Sequence, residues 1–262
     1  MRVFMKSLRD NRRGWIGWTL ALTAIAAMYA SFYPSINNPA MADALNSFPQ
    51  GLKEAFHMED YTKPENYFAV SVFGLLVPIL VAVFAISAGV KAIAGDEEAG
   101  TLDLVQAHPV SRISLALQRF LAILSALLAV AAVMCLVVIA LRGPGQFTAL
   151  SPGHILAICF QLALFGLLFA ALAYGVGAWT GRRVYAIAAG AAVAVLGYLG
   201  DSFFTQIDGL KWTEKFSPFD WYLGGEPLKN GVQWGHAGLL VGFAVLFVAL
   251  GTWRYNRRDI AV

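Results

Sequence analysis

The sequence predicts an all-α polytopic membrane protein with six transmembrane helices, and three observations lead to this fold class. First, 58% of the 262 residues are apolar and 13% are charged, whereas a soluble domain carries about 25% charged residues. Second, the mean hydropathy is +0.63, so the chain has too few polar residues to cover the surface of a soluble protein. Third, among 19 basic and 16 acidic residues only Asp201 lies inside the six longest apolar windows. Such segregation of charge is typical of membrane helices.

Each window is long enough to be a membrane span, because about 20 apolar residues cross roughly 30 Å of hydrocarbon. The windows comprise residues 15–33, 67–90, 120–141, 154–178, 184–203 and 235–253. The first window is too long for a signal-peptide core and has no small-x-small cleavage pattern after it, so we interpret it as a retained anchor helix. Segments 34–66 and 204–234 are predicted to be outer loops. The chain is expected to form one transmembrane domain over residues 1–262.

The distribution of lysine and arginine predicts the orientation. The N-terminus and segments 91–119, 179–183 and 254–262 together hold thirteen basic and six acidic residues, whereas the other side holds six basic and ten acidic residues. Basic residues concentrate on the cytoplasmic side of membrane proteins. Both termini are therefore predicted to lie in the cytoplasm.

Several function classes are excluded by composition and motifs. The composition rules out a nucleic-acid-binding domain and a disulfide-rich secreted scaffold, and Cys135 and Cys159 are predicted to be packed thiols within apolar runs. The sequence contains no G-x-x-x-x-G-K-[ST], H-E-x-x-H or G-x-S-x-G motif, so no P-loop, zincin or serine-hydrolase site is predicted. Its four histidines form no i, i+3 or i, i+4 pair. We expect no catalytic residue, cofactor or metal in this chain.

The most informative segment is the predicted cytoplasmic connection between spans two and three, Gly95-Asp96-Glu97-Glu98-Ala99-Gly100-Thr101-Leu102-Asp103-Leu104-Val105-Gln106-Ala107-His108-Pro109-Val110-Ser111-Arg112. Three acids open a predicted short helix, where the macrodipole favours negative charge. Leu102 and Val105 share one face of it, and Pro109 ends it. Ser111 is placed to cap the next helix. The spacing fits either an amphipathic helix gripped by a partner or an ordinary solvated loop.

This segment resembles the cytoplasmic loop of ABC-2 type transporter permeases, in which an acidic run is followed by Gly-Thr-Leu, further aliphatic residues and Pro-Val-Ser-Arg. The matching residues are Asp96, Glu97, Glu98, Gly100, Thr101, Leu102, Leu104, Pro109, Val110, Ser111 and Arg112. Residues 105–108 depart from the Leu-Leu pair that is common in the family. The six spans, the cytoplasmic termini and a basic amphipathic stretch at residues 2–9, similar to the interfacial helix before span one, extend the resemblance over the whole chain.

The resemblance implies the membrane-spanning permease subunit of an ATP-driven exporter in the plasma (inner) membrane of a bacterium. In that family two permease chains, identical or different, form the translocation path, and two copies of a separate ATPase bind ATP and Mg²⁺. The loop between spans two and three is then a coupling helix received by the ATPase. The coupling residues that the resemblance implies are Asp96, Glu97, Glu98, Gly100, Thr101, Leu102, Val105, Pro109 and Arg112.

Two stripes of small residues are candidates for the contact between permease chains, because small side chains let membrane helices approach closely. They consist of Thr19, Thr23, Ala27 and Ser31 in span one and of Ala186, Gly190 and Ala194 in span five. The resemblance places spans one and five near the permease–permease interface. Packing within the chain is the alternative.

A transport path is expected beside span two. Pro78, near the middle of that span, frees a backbone carbonyl and is expected to permit bending during transport or to form a static kink. Aromatic residues are candidates to line an apolar path, which would suit a lipophilic or amphipathic solute: Phe68, Phe73, Phe84 and Tyr198. The alternative function is a stand-alone integral-membrane carrier or a membrane enzyme acting on lipid, either of which would work without an ATPase.

Overall fold

The computed structural model describes residues 2–38, 40, 43, 47–49, 61–98, 111–207 and 209–257. All regular structure within these ranges is helical, which confirms the predicted all-α class. The α-helices are α1 (Arg2–Ile36), α2 (Pro64–Ser71), α3 (Leu76–Ala92), α4 (Ala94–Glu98), α5 (Arg112–Ala140), α6 (Pro152–Thr180), α7 (Arg183–Ser202), α8 (Pro227–Asn230) and α9 (Trp234–Arg257). Between α7 and α8 lie two 3₁₀ turns (Phe204–Gln206 and Lys211–Phe216) and a π-helical turn (Asp220–Gly224).

Five helices are long and apolar enough to cross a bilayer, namely α1, α5, α6, α7 and α9. A sixth candidate span consists of α2 and α3, which are bent by 43° at a short break. Every predicted window therefore falls on a helix or on this bent pair. We call the end of the bundle where α3 ends and α7 begins the α4 end, and the end where α6 and α9 begin the opposite end.

α1 is one uninterrupted helix, so residues 2–9 form its first turns rather than a separate interfacial helix. No proline precedes Pro34 to break it. It packs mainly on α5, and the backbone N–H of Phe4 donates to Oε1 of Gln118 in α5 at 3.3 Å. The residues that α1 buries recur every three or four positions along one face: Leu22, Ala26, Ala30 and Tyr33.

The bend in the second candidate span lies before Pro78, not at it. Pro78 is in the first turn of α3, where a missing N–H removes no intrahelical hydrogen bond. The break contains Gly74, at which a Cβ would lie 2.7 Å from the carbonyl oxygen of Val70. The prediction that Pro78 marks the bend is therefore corrected, because a tight backbone turn at Gly74 has already ended the preceding helix.

α6 is the centre of the bundle. Of its most apolar 18-residue window 89% is buried, compared with 22% for α1 and α7 and 28% for α9. It packs against α3, α5, α7 and α9, as expected for a helix that is apolar on every side. Cys135 of α5 and Cys159 of α6 are free and buried, which confirms their prediction as packed thiols.

Small residues allow α6 and α9 to approach closely. A Cβ at Gly175 would lie 2.8 Å from the carbonyl oxygen of Phe247, and a Cβ at Gly251 would lie 2.7 Å from the Cα of Gly175. Beside these glycines, the hydroxyls of Tyr174 and Thr252 are hydrogen-bonded at 2.7 Å in a buried contact. The Tyr174 and Thr252 hydroxyls therefore satisfy each other within the contact, as a low-dielectric interior requires.

The predicted outer loop between α7 and α9 is partly inside the bundle. Ser217 Oγ donates to the carbonyl oxygen of Gly197 at 2.8 Å. The Trp221 ring stacks on Phe243 with centroids 5.1 Å apart, and Phe243 is about 14 Å along α9 from its start at 1.5 Å per residue. The loop prediction is corrected for residues 217–222, because their aromatic side chains fill the space between α6, α7 and α9.

Candidate coupling site at the α4 end

The α4 end holds both the start and the return of the segment that resembles a coupling loop. α4 follows α3 after one residue and begins two residues before the acidic run. The described chain resumes at Ser111, the N-cap of α5, whose Oγ accepts a hydrogen bond from the N–H of Ser114 at 3.2 Å. The predicted cap at Ser111 is confirmed.

Part of the predicted coupling set lies in the described chain. Asp96, Glu97 and Glu98 belong to α4, and Arg112 is the first residue of α5. The remaining predicted coupling residues lie outside the described ranges: Gly100, Thr101, Leu102, Val105 and Pro109. The assignment of this set to coupling stays a prediction.

A first polar contact fixes the end of α3. Nη1 of Arg119 in α5 donates to the carbonyl oxygen of Ala92 at 2.7 Å. The last carbonyls of a helix have no partner within it, and a cation is favourable at that end of the macrodipole. Arg119 of a neighbouring helix therefore caps α3, two residues before α4 begins.

A second set of contacts joins α4 to α7 in both directions. Oε1 of Glu98 accepts a hydrogen bond from the backbone N–H of Arg183 at 2.8 Å. Nη2 of Arg183 donates to the carbonyl oxygen of Gly95. Nε of Arg183 and Oε2 of Glu98 are 3.4 Å apart, which is an ion-pair distance without hydrogen-bond geometry. Arg183, the first residue of α7, is thus hydrogen-bonded to two residues of α4, Gly95 and Glu98.

Glu98 supplies an N-terminal cap that α7 lacks. Arg182 is the N-cap residue of α7, and its side chain makes no capping hydrogen bond. The first N–H groups of a helix have no partner within it, and a carboxylate is favoured at this positive end. Hydrogen bonding and charge therefore both favour Glu98 at the start of α7.

An apolar contact accompanies these polar ones. Ala94 of α4 and Ala186 of α7 are fully buried. A Cβ at Gly177 of α6 would lie 3.3 Å from the Cβ of Ala94 and 3.7 Å from that of Ala186. Gly181 ends α6 with a left-handed φ of 72°, the usual role of glycine at a helix C-terminus, and α7 begins two residues later. α4, α6 and α7 therefore converge at Gly177.

The polar contacts between α4 and α7 position these elements more than they stabilise the fold. The side chains of Arg183 and Glu98 are 43% and 39% exposed. An exposed ion pair contributes about 0–1 kcal/mol, because water competes for both partners. Loss of the link would therefore leave the bundle folded.

The two predicted small-residue stripes differ in burial, and the stripe on α7 is the more buried of the two. Ala186 and Gly190 are buried within the chain, and a Cβ at Gly190 would lie 2.7 Å from Cγ1 of Ile86 in α3. The intrachain alternative therefore accounts for these two residues, which offer no surface to a second chain. Ala194 is half-buried.

On α1 the predicted stripe is more open. Thr19, Thr23 and Ala27 are half-buried and Ser31 is exposed. The face buried within the chain is the adjacent one, through Leu22, Ala26 and Ala30. Sequence reasoning missed that face because Leu22 does not belong to a small-residue pattern. The role of the Thr19 to Ser31 stripe between chains stays a prediction.

The aromatic residues expected along a path lie mostly in the core of the described chain. Phe68, Phe73 and Phe84 are each at most 2% exposed, and Pro78 is also buried. Tyr198 is half-buried beside Phe219, with ring centroids 5.4 Å apart. Within one chain these residues pack against each other and their neighbours. Their place on a transport path stays a prediction.

The fold and this site together define a polytopic helical membrane protein with an acidic connecting segment secured at one end of the bundle. Among the residues that the structure describes, no group of three or more His, Cys, Asp or Glu side chains is placed to hold a metal ion. A family model described as ABC-2 family transporter protein matches residues 1–260. The chain therefore belongs to the ABC-2 transporter family, a family of membrane transport components. A comparison with curated proteins gave no match.

Proposed function

We propose that this chain is the permease subunit of an ATP-driven exporter and that residues 95–112 couple it to a separate ATPase. The family match over residues 1–260 carries the proposal. The contacts of Arg119 with Ala92 and of Glu98 with Arg183 support it, because they join the chain on the N-terminal side of this segment to α5 and α7. A segment secured at its base passes a displacement to the helices instead of absorbing it.

The proposed assembly contains two permease chains, identical or different, and two ATPase subunits in the plasma (inner) membrane. The chain has no G-x-x-x-x-G-K-[ST] motif, so a P-loop for ATP and Mg²⁺ must come from a partner. The permease chains form the translocation path, and ATP hydrolysis occurs in the partner.

The ATPase contact is proposed to be the face of Leu102 and Val105, with Asp96 and Glu97 meeting basic groups around it. Burial of one aliphatic side chain contributes roughly 1.5–3 kcal/mol, and an unpaired charge forced into that contact adds a further penalty. A total loss of about 3 kcal/mol lowers affinity more than about a hundredfold. Leu102→Asp should therefore release the ATPase.

Co-purification tests the proposal. The unmodified chain should purify from native membranes with a P-loop ATPase, and Leu102→Asp should accumulate normally but lose this partner and transport. Ala107→Asp adds the same charge on the other face of the predicted helix and should keep the ATPase. An unmodified chain that purifies alone and still transports would favour the stand-alone alternative. A Leu102→Asp protein that retains the ATPase would contradict the coupling assignment.

Accessibility labelling tests the proposed orientation. Lys215 and Arg182 are exposed at the opposite end and the α4 end, respectively. A cysteine at 215 should react in intact cells with an impermeant thiol reagent, whereas a cysteine at 182 should react only after the membrane is opened. Cys135 and Cys159 are buried, so background labelling should be low. Labelling of 182 in intact cells would reverse the orientation.

Cross-linking tests the proposed permease contact along α1. Cysteines at Ala27 or Ser31 should form cross-links between two copies of the chain, because this stripe is open in the single chain. Ala30 is buried within the chain and is the matched control, at which no cross-link should form. Absence of cross-links at both stripe positions would move the interface to another helix.

A further inference from the structure

We infer that Glu98 and Arg183 form a positioning link that transmits movement of the coupling segment to α7. α7 would then be the helix that shifts when the ATPase acts. The inference rests on the proposed function, since it assumes that a partner displaces residues 99–110. Its evidence is the set of contacts that joins α4 to α7.

The link is close to the proposed ATPase contact. Leu102 follows Glu98 by four residues, and four residues of chain span at most about 14 Å. The proposed ATPase contact and the link are therefore close to each other along the chain. Because Glu98 accepts from the N–H of Arg183 and Arg183 donates to Gly95, α7 is connected to α4 through both backbone and side chain.

α7 is the neighbour of α4 that resists displacement least. α3 and α6 also adjoin α4, but both are buried along most of their length. Only 22% of the apolar window of α7 is buried, compared with 89% for α6. A helix that buries little surface loses few packing contacts on moving, because van der Waals packing and hydrogen bonds hold membrane helices together.

The opposite end of α7 is secured separately. Ser217 Oγ donates to the carbonyl oxygen of Gly197 at 2.8 Å. Thr213 Oγ1 lies 3.2 Å from the carbonyl oxygen of Gly200 and 2.7 Å from that of Leu210, its nearer acceptor. A displacement applied at Arg183 therefore becomes a tilt of α7 about its opposite end. Gly197 and Gly200 follow Arg183 by 14 and 17 residues, so the arm is about 21–26 Å long.

Distance measurements on the complete permease–ATPase complex in nanodiscs test the link. One spin label replaces Val184, which is 70% exposed at the start of α7, and the other replaces Leu250, which is 45% exposed on α9. The distance is measured by double electron–electron resonance before and after trapping with ATP, Mg²⁺ and vanadate. In the complex with an unmodified link, the distance between the labels at positions 184 and 250 should change on trapping.

Two variants break the link, and a third is the matched control. In Glu98→Ala and in Arg183→Met the population with the shifted distance should fall about fivefold or more, the lower range of coupling between sites. In Arg183→Met, whose changed residue lies outside residues 95–112, the ATPase should remain bound and continue to hydrolyse ATP. Lys229→Met removes another exposed ion pair at the opposite end, that of Lys229 with Glu226 at 2.6 Å. In this variant the distance between the labels should change on trapping as it does in the unmodified protein. Glu98→Gln keeps an acceptor for the Arg183 N–H and should retain part of the response.

The outcomes separate this inference from the proposed function. If no ATPase purifies with the unmodified chain, the proposed function fails. If the ATPase binds but both link variants give the full shifted population, the link does not transmit movement and the inference is overturned. If Glu98→Ala releases the ATPase, Glu98 is a docking residue, which also overturns the inference.

Discussion

α7 is held differently at its two ends. At the opposite end its contacts are buried: Ser217 donates to the Gly197 carbonyl, and a Cβ at Gly197 would lie 2.9 Å from Cδ of Pro218. At the α4 end its first residue, Arg183, contacts Glu98 through groups that are about 40% exposed. The opposite end is thus held by buried contacts, whereas the α4 end combines the buried Ala186 with partly exposed polar groups.

The difference lies in the free energy that each contact contributes. Breaking a buried hydrogen bond leaves groups without partners and costs about 1–3 kcal/mol, whereas breaking an exposed ion pair costs about 0–1 kcal/mol. The opposite end should therefore contribute more to stability, and the α4 end more to coupling. Matched substitutions at the two ends test this difference through the free energy of unfolding, measured by SDS titration in mixed micelles.

The largest loss is expected for Gly197→Ala. The new Cβ would lie 2.9 Å from Pro218, so the buried segment must shift, and overpacking of this kind costs about 1–3 kcal/mol. Gly200→Ala is the matched control, because its Cβ would meet Thr213 at an ordinary 3.7 Å or more. The control should be neutral or gain up to about 1 kcal/mol from helix propensity. Equal effects of the two substitutions would contradict tight packing at this end.

Ser217→Ala is expected to follow, with a loss of about 1–2 kcal/mol. The hydroxyl donates to Gly197 and accepts from the N–H of Phe219 at 3.0 Å, so both partners lose a buried hydrogen bond. Ser125→Ala removes only an exposed hydroxyl bonded within its own helix, to Leu121. That control should stay within about 0.5 kcal/mol of the unmodified protein.

Gly177→Ala should cost less than Gly197→Ala, below about 1 kcal/mol. The new Cβ would lie 3.3 Å from Ala94, and α4 needs to give way by only a few tenths of an ångström. A loss as large as that of Gly197→Ala would mean that the α4 end is packed as rigidly as the opposite end. The same unfolding titration makes this comparison, since both changes add a single methyl group.

The smallest stability effect is expected for Arg183→Met, at most about 0.5–1 kcal/mol. This effect should become smaller at high salt, because salt screens a partly exposed ion pair. Lys229→Met, which breaks an exposed pair with Glu226 at the opposite end, should have an effect of the same size. A loss above 2 kcal/mol for Arg183→Met alone, on the order of a buried pair, would show that the link is structural.

Several features of the fold and site were predictable from the sequence. The six apolar windows fall on the candidate spans, Ser111 caps α5, and the family resemblance agrees with the match over residues 1–260. These features depend on local hydropathy, on capping chemistry within a few residues or on a contiguous motif. The prediction of a bend at Pro78 was wrong, because the local effect of a proline does not reveal the turn at Gly74, which interrupts the span before Pro78.

Other features depend on contacts between distant parts of the chain. The burial of residues 217–222 between α6, α7 and α9 could not be read from a segment that lies between two apolar windows. The buried face of α1 depends on which side meets α5, and neither helix alone specifies that side. The inward placement of Gly190 likewise follows from Ile86, a residue on another helix.

The sequence by itself determined the fold class, the position of the candidate spans and the family, because hydropathy windows and contiguous motifs depend only on residues that are close in sequence. Only the tertiary structure decided which small-residue stripe is buried, where the second span bends and that Glu98 meets Arg183, 85 residues later. The physical reason is that apolar helices in a membrane are all compatible with lipid, so hydrophobicity does not choose their partners. Close packing and a few hydrogen bonds make that choice.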